Sequence, residues 1–237
     1  MKKTIFASKS RFVFALVFTL AGCATVPTGQ RIDNIPMYGQ PGIQRPEALK
    51  IADEDFVREA SSAAGGRKAA SKAWWGQAER FMSQGNLDFA MRRYNQSWLL
   101  DPDNYQPYWG FGRVMAERGR IDEAIGYLEK ATVLCDDAYQ KVALISDTGI
   151  AYATKASGLA PENQEERIRY FGLADKSFIE STSLDPRYGG AWLRWSYSLY
   201  LEGKYADAWE KLKKARSLGA KNDKFERDLE QKMPEPK

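Results

Sequence analysis

The chain has 237 residues, with 35 Lys and Arg against 31 Asp and Glu, and no histidine. The missing histidine excludes Ser-His-Asp and Cys-His nucleophile systems, His-based acid–base chemistry and His metal sites. The formal charge of +4 belongs to the first 22 residues, where Lys2, Lys3, Lys9 and Arg11 meet no acid. The remainder balances, 31 bases against 31 acids, and has no overall electrostatic attraction for nucleic acid or an anionic membrane surface. At 43% hydrophobic and 13% aromatic, with seven Trp, the chain can bury a substantial core.

Met1 to Arg11 is a basic leader, and Phe12 to Leu20 is apolar except for Thr19. At about ten residues this stretch is too short to cross a bilayer core of about 30 Å. Leu20-Ala21-Gly22-Cys23 follows, with small residues ahead of the cysteine as a signal peptidase requires. The four residues and the charge pattern upstream resemble the bacterial lipobox. That resemblance implies cleavage of residues 1–22, a diacylglyceryl thioether on Cys23 and acylation of its new amino terminus. Several acyl chains on one residue anchor firmly, at about 0.8 kcal/mol per buried CH2. In Gram-negative lipoproteins an Asp after the lipidated Cys tends to retain the protein at the inner membrane. Ala24 stands there, so the resemblance points to the outer membrane, with the body in the periplasm. Cys135 is then the second and last cysteine, without an intramolecular partner.

Residues 23–46 form a tether. Pro27, Pro36, Pro41 and Pro46, with Gly29, Gly39 and Gly42, discourage a helix. Fully extended, the tether reaches on the order of 70 Å at about 3.3 Å per residue. Ile35-Pro36-Met37-Tyr38-Gly39 is more apolar than a spacer requires, and either docks on a folded surface or stays loose. Residues 47–64 read as a capping helix with Leu49, Ala52, Phe56 and Ala60 on one stripe, ended by Gly65-Gly66.

The body repeats. Gly85 and Gly119 are 34 residues apart, as are Ala90 and Ala124, Leu100 and Leu134, Ala174 and Ala208, and Leu184 and Leu218. A 34-residue period with small residues at fixed sites resembles the tetratricopeptide repeat. The resemblance implies an all-α, right-handed superhelical solenoid of helix hairpins. Within 65–222 it assigns four repeats, at 71–104, 105–138, 142–188 and 189–222. The third is longer: Gly149 and Ala174 are 25 apart where the period expects 12, which places an insert at 157–169. Pro161, Glu162, Glu165 and Glu166 look like a helix start, so the second helix of that repeat is expected to be lengthened, with Gly172 as a potential kink. A solenoid's ends need covering. Asp223 to Met233 supplies a C-terminal cap through Phe225, Leu229 and Met233, within a closing segment 223–237.

No nucleophile motif, phosphate loop or Cys/His cluster is present, so neither catalysis nor a cofactor or metal is expected. The candidate site is the concave groove, which the resemblance assigns to fixed positions of each first helix. These are Lys72, Trp75, Glu79 and Met82; Gln106, Trp109, Arg113 and Glu117; Ser146, Ile150 and Thr154; and Leu193, Tyr197 and Tyr200, with Arg194 beside them. Trp74 and Tyr108 already fill the adjacent packing site, which leaves Trp75 and Trp109 as aromatic anchors for a peptide. The function implied is a membrane-anchored scaffold that recruits an envelope protein or peptide, in envelope biogenesis, a pilus or secretion system, or polysaccharide export. The alternatives are a pilotin-like or oligomeric subunit of an outer-membrane assembly and, far behind, a glycan hydrolase using carboxylates alone.

Overall fold

The computed structural model describes residues 31–236. The leader, the lipobox and Cys23 lie outside the described residues. Two short 3-10 turns, Ile32–Asn34 and Pro36–Gly39, precede α1 (Glu47–Ala64), α2 (Arg67–Ser83), α3 (Leu87–Leu100), α4 (Tyr105–Glu117), α5 (Ile121–Leu134), α6 (Ala138–Gly158), α7 (Gln164–Leu184), α8 (Gly189–Glu202), α9 (Tyr205–Ser217) and α10 (Asp223–Lys232). The four expected hairpins are α2/α3, α4/α5, α6/α7 and α8/α9, each packed on the next, with α1 and α10 at the two ends.

Local chemistry sets these boundaries. Asn86 caps α3, Asn104 caps α4, Asp137 caps α6 and Asn222 caps α10, each side chain accepting from a free backbone N–H of the first turn. Gly85 and Gly119 have φ of +71° and +73°, a left-handed turn that a side chain disfavours. The helices touch at the small sites. A Cβ on Gly112 would meet Leu128 at 2.6 Å, and one on Gly149 would meet Phe178 at 3.0 Å. Ser196 fills the same site in the fourth repeat by donating its hydroxyl to the Ala208 carbonyl at 2.6 Å.

The third repeat differs from the expectation. Both of its helices are lengthened, α6 and α7 having 21 residues each where α4 and α5 have 13 and 14. α6 starts at Ala138 rather than near residue 142, because Asp137 caps it there. Pro161 sits in the connecting turn and not in a helix, and Arg167 closes that turn by donating to the Leu159 carbonyl. α7 runs unbroken through Gly172. The extension is packed: Ala153 and Ala156 of α6 are buried with Phe171, Ala174 and Phe178 of α7.

The caps are unequal. Phe225 and Leu229 of α10 are buried against α8 and α9, and the Trp209 indole donates to the Met233 carbonyl. α1 has no buried residue. Its inward stripe is Asp53, Phe56, Val57, Ala60 and Ser61, with Phe56 edge-on to Trp74 at 5.2 Å. Leu49 and Ala52, expected on that stripe, face outward.

From residue 31 onward, the supposed tether is not loose. Residues 31–45 form a strap across the first two repeats, with Pro36 and Tyr38 buried. Asn95 of α3, itself fully buried, donates to the carbonyls of Asp33 at 3.0 Å and Ile35 at 2.9 Å and accepts from the Tyr38 amide at 3.4 Å. Arg118 at the end of α4 donates to the Asn34 carbonyl at 3.0 Å and pairs with Asp88 at 2.9 Å. Arg45 lies over the Tyr38 ring at 3.9 Å and pairs with Asp53 of α1 at 2.7 Å.

Candidate partner-binding groove

The first helices of successive repeats are linked by a row of opposite charges. Glu79 of α2 accepts from Arg113 of α4 at 2.7 and 3.0 Å, and from the hydroxyl of Tyr94. Asp147 of α6 accepts from the Trp109 indole at 2.8 Å and pairs with Arg194 of α8 at 2.9 Å. Arg194 also donates to the Tyr188 hydroxyl at 3.3 Å. Burial opposes the charge on both arginines, but Glu79 and Asp147 outweigh it and hold both guanidiniums above their ordinary pKa. Burial, and then the Glu79 charge, push the Tyr94 phenol far above its ordinary range, so it stays a donor.

Between α4 and α6 this row opens into a cavity of about 270 Å³. Arg113, Asp147 and Arg194 line its polar wall, and Met82, Ile150 and Ala151 its apolar wall. Arg113 and Arg194 keep about a third of their side chains exposed, at 32% and 35%. Their remaining N–H groups are available to a peptide carbonyl or carboxylate while their charge is already compensated.

Of the expected groove residues, Met82, Arg113, Glu117, Ile150, Thr154 and Arg194 meet at this cavity, and Glu79 supports it through Arg113. Trp75 is half-buried against the core of the first two repeats. Trp109 is a correction: it is 9% exposed, a core residue that orients Asp147 rather than a free anchor. Gln106 and Ser146 are buried as well. Lys72 lies apart, beside Asp101 and Asp136 at the start of α2 and α4. Tyr197 and Tyr200 stack on each other, and each meets the Phe225 ring edge-on, so they pack the C-terminal cap. Tyr197 stays exposed at 40% and Tyr200 is half-buried, and neither lines the cavity between α4 and α6.

Asp147, the residue that ties Trp109 to Arg194, did not emerge from the sequence. A signal existed: Asp147 and Arg194 are 47 residues apart, one period plus the 13-residue insert, so they hold the same position in successive repeats.

No protein-family model matches the sequence, and no curated protein is significantly similar to it. Solved structures are similar. A thermophilic TPR protein of Thermus thermophilus is 16% identical with a TM-score of 0.57, over 62% of this chain and 74% of that one. PilF of Pseudomonas aeruginosa is 16% identical with a TM-score of 0.48, over 77% and 89% of the two chains. MamA is 16% identical with a TM-score of 0.46, over 78% and 99%. The first of these likenesses, with the hairpins described above, establishes the fold as a tetratricopeptide-type helical solenoid.

Proposed function

We propose that the chain is a non-catalytic scaffold that binds a segment of another envelope protein in its concave groove. In this reading Cys23 is lipidated and holds the chain on the outer membrane, facing the periplasm, in envelope biogenesis, a pilus or secretion system, or polysaccharide export. The observation that carries the groove reading is the pair Arg113 and Arg194. Both are fixed by carboxylates and partly exposed, and both stand beside the apolar wall of Met82 and Ile150. Fixed donors beside an apolar slot suit an extended or helical peptide with one aliphatic anchor. The lipobox-like Leu20-Ala21-Gly22-Cys23 supports the anchor.

A random peptide library selected on the wild-type chain tests the groove. Selected peptides should bind Arg113→Ala and Arg194→Ala at least tenfold more weakly by fluorescence anisotropy. Equal binding by both variants would move the recruitment face off this groove. For the anchor, radiolabelled fatty acid should enter the wild type and not Cys23→Ser. Label in the variant, or none in the wild type, removes the lipid from the account.

A further inference from the structure

Asn95 is a fully buried amide whose hydrogen bonds all run to the strap, not to its own repeat. Such a side chain is satisfied only while the strap is in place, and burying it unpaired would be costly. Met37 and Tyr38 add to this. Both have φ near +50°, a backbone region that non-glycine residues occupy only when their surroundings impose it. The strap is thus a built interface, tied to α1 through Arg45 and Asp53, to α3 through Asn95 and to α4 through Arg118.

The strap also has a direction. In each hairpin the first helix ends, and the second begins, at one edge of the solenoid. Asn34 is held there, by Arg118 at the end of α4, and Arg118 in turn pairs with Asp88 at the start of α3. Lys155 of α6 pairs with Asp122 at the start of α5, which puts the far end of α6 at the same edge. Beyond Lys155, α6 runs on to Gly158, roughly 5 Å for three residues at about 1.5 Å each, so the α6–α7 hairpin projects past that edge. The entry of the chain into the body and the protruding hairpin therefore share one edge.

We propose that the strap is a latch that holds the body close to the membrane in one orientation, with the edge bearing the α6–α7 tip toward the lipid surface. The proposal rests on the lipid-anchor reading. With residues 31–45 docked, the greatest reach from Cys23 to the body falls from roughly 70 Å to roughly 25 Å at about 3.3 Å per residue. A span that short limits the orientations open to the body, and the tip, which projects furthest on that edge, meets the membrane zone first.

The test uses the full lipidated chain in vesicles that contain a headgroup-labelled acceptor lipid. A donor dye is placed through Asn163→Cys at the hairpin tip, or through Lys221→Cys at the opposite edge, each in a Cys135→Ser background. Energy transfer should be several-fold greater from position 163 than from 221. Asn95→Ala and, separately, Arg118→Ala should bring the two values together while the thermal melt of the body stays cooperative. Hydrogen exchange on the same chains should find the amides of 31–45 protected in the wild type and released in both variants. Equal transfer from the two positions in the wild type overturns the orientation, and unprotected strap amides in the wild type overturn the latch. A chain that does not float with the vesicles while its strap stays protected overturns the proposal through its anchor reading alone.

Discussion

Glu79 and Arg113 are 34 residues apart in sequence, hold the same position in successive repeats, and meet in the groove at 2.7 Å. A repeat alone would place like residues side by side. Alternating the sign at one position turns that into a bond between repeats, which Tyr94 reinforces from α3. Both side chains keep about 30% of their surface, so water screens the pair and its worth lies between that of an exposed bridge and a buried one. Arg113→Ala should cost about 1–2 kcal/mol in urea unfolding, mostly from leaving Glu79 with a single donor. A double-mutant cycle with Glu79→Ala should return a coupling near 1 kcal/mol that shrinks in 1 M salt. A coupling of zero would mean that the pair forms without stabilising the junction between the repeats.

Two glycines on facing helices should respond in opposite directions. Gly112 approaches Leu128 so closely that an added methyl must displace it, whereas nothing lies within 4 Å of a Cβ on Gly126. Gly112→Ala should therefore destabilise by about 1–3 kcal/mol through overpacking. Gly126→Ala, on the exposed side of α5, should stabilise by up to about 1 kcal/mol through helix propensity. Melts of the two single variants decide this, and a neutral Gly112→Ala would disprove the close approach of α4 and α5.

The lengthened hairpin is removable in principle. Deleting residues 157–169 joins Ala156 to Tyr170 and returns the third repeat to the common period. Gly149, Ala174 and Phe178, which make its central contact, stay in place. The shortened turn would lack the left-handed glycine found at Gly85 and Gly119, so a loss of about 1 kcal/mol is expected while the melt stays cooperative. A broad, non-cooperative melt would mean that the extension is needed to hold the two halves of the solenoid together.

The period made the hairpins legible because it reflects contacts that recur, such as Gly112 on Leu128 and Gly149 on Phe178. It could not reveal what occurs once. The docking of the strap depends on Asn95, a polar residue in the middle of a helix whose partners lie about 60 positions away. Proline and glycine content described the backbone of 31–45 but not a buried amide waiting for its carbonyls. Trp109 departs from its expected role for a related reason. Repeat position puts it on the groove side, but its ring packs into the core of the first two repeats and its indole donates to Asp147. The extra length of α6 was hidden because an insert between two helices can extend either, and sequence spacing does not divide it.

Alkaline pH should release the strap. Burial, aided by Asp53 and opposed by Arg45, pushes the Tyr38 phenol up from 10 to about 12. A docked pKa above the undocked value means that the neutral phenol favours docking. The contribution is complete below pH 10 and is lost as the pH rises from 10 through about 12. Tyrosinate absorbance and exchange at residues 31–45 should change together in that window, and Tyr38→Phe should remove the dependence of the strap without undocking it at neutral pH. A strap that stays protected above that window in the wild type would mean that Tyr38 ionises in place.

Trp109 separates wall from anchor. Trp109→Ala should cost about 3–5 kcal/mol, as for any large core truncation. Trp109→Phe keeps most of the ring volume but deletes the donor to Asp147, whose remaining partner is Arg194. That variant should lose about 1–2 kcal/mol and weaken peptide binding as well, because Arg194 no longer faces a fixed carboxylate. Asp147→Asn should reproduce the binding loss, since an amide can still accept from the indole but no longer balances the guanidinium. Trp75→Ala, half-buried and with no hydrogen bond to the groove, should lose stability and leave the Arg113 and Arg194 subsite intact. Thermal melts and anisotropy on the four variants distinguish these outcomes. If Trp109→Phe binds peptide as tightly as the wild type, the groove does not depend on the Trp109–Asp147–Arg194 chain, and recognition runs through Glu79 and Arg113 alone.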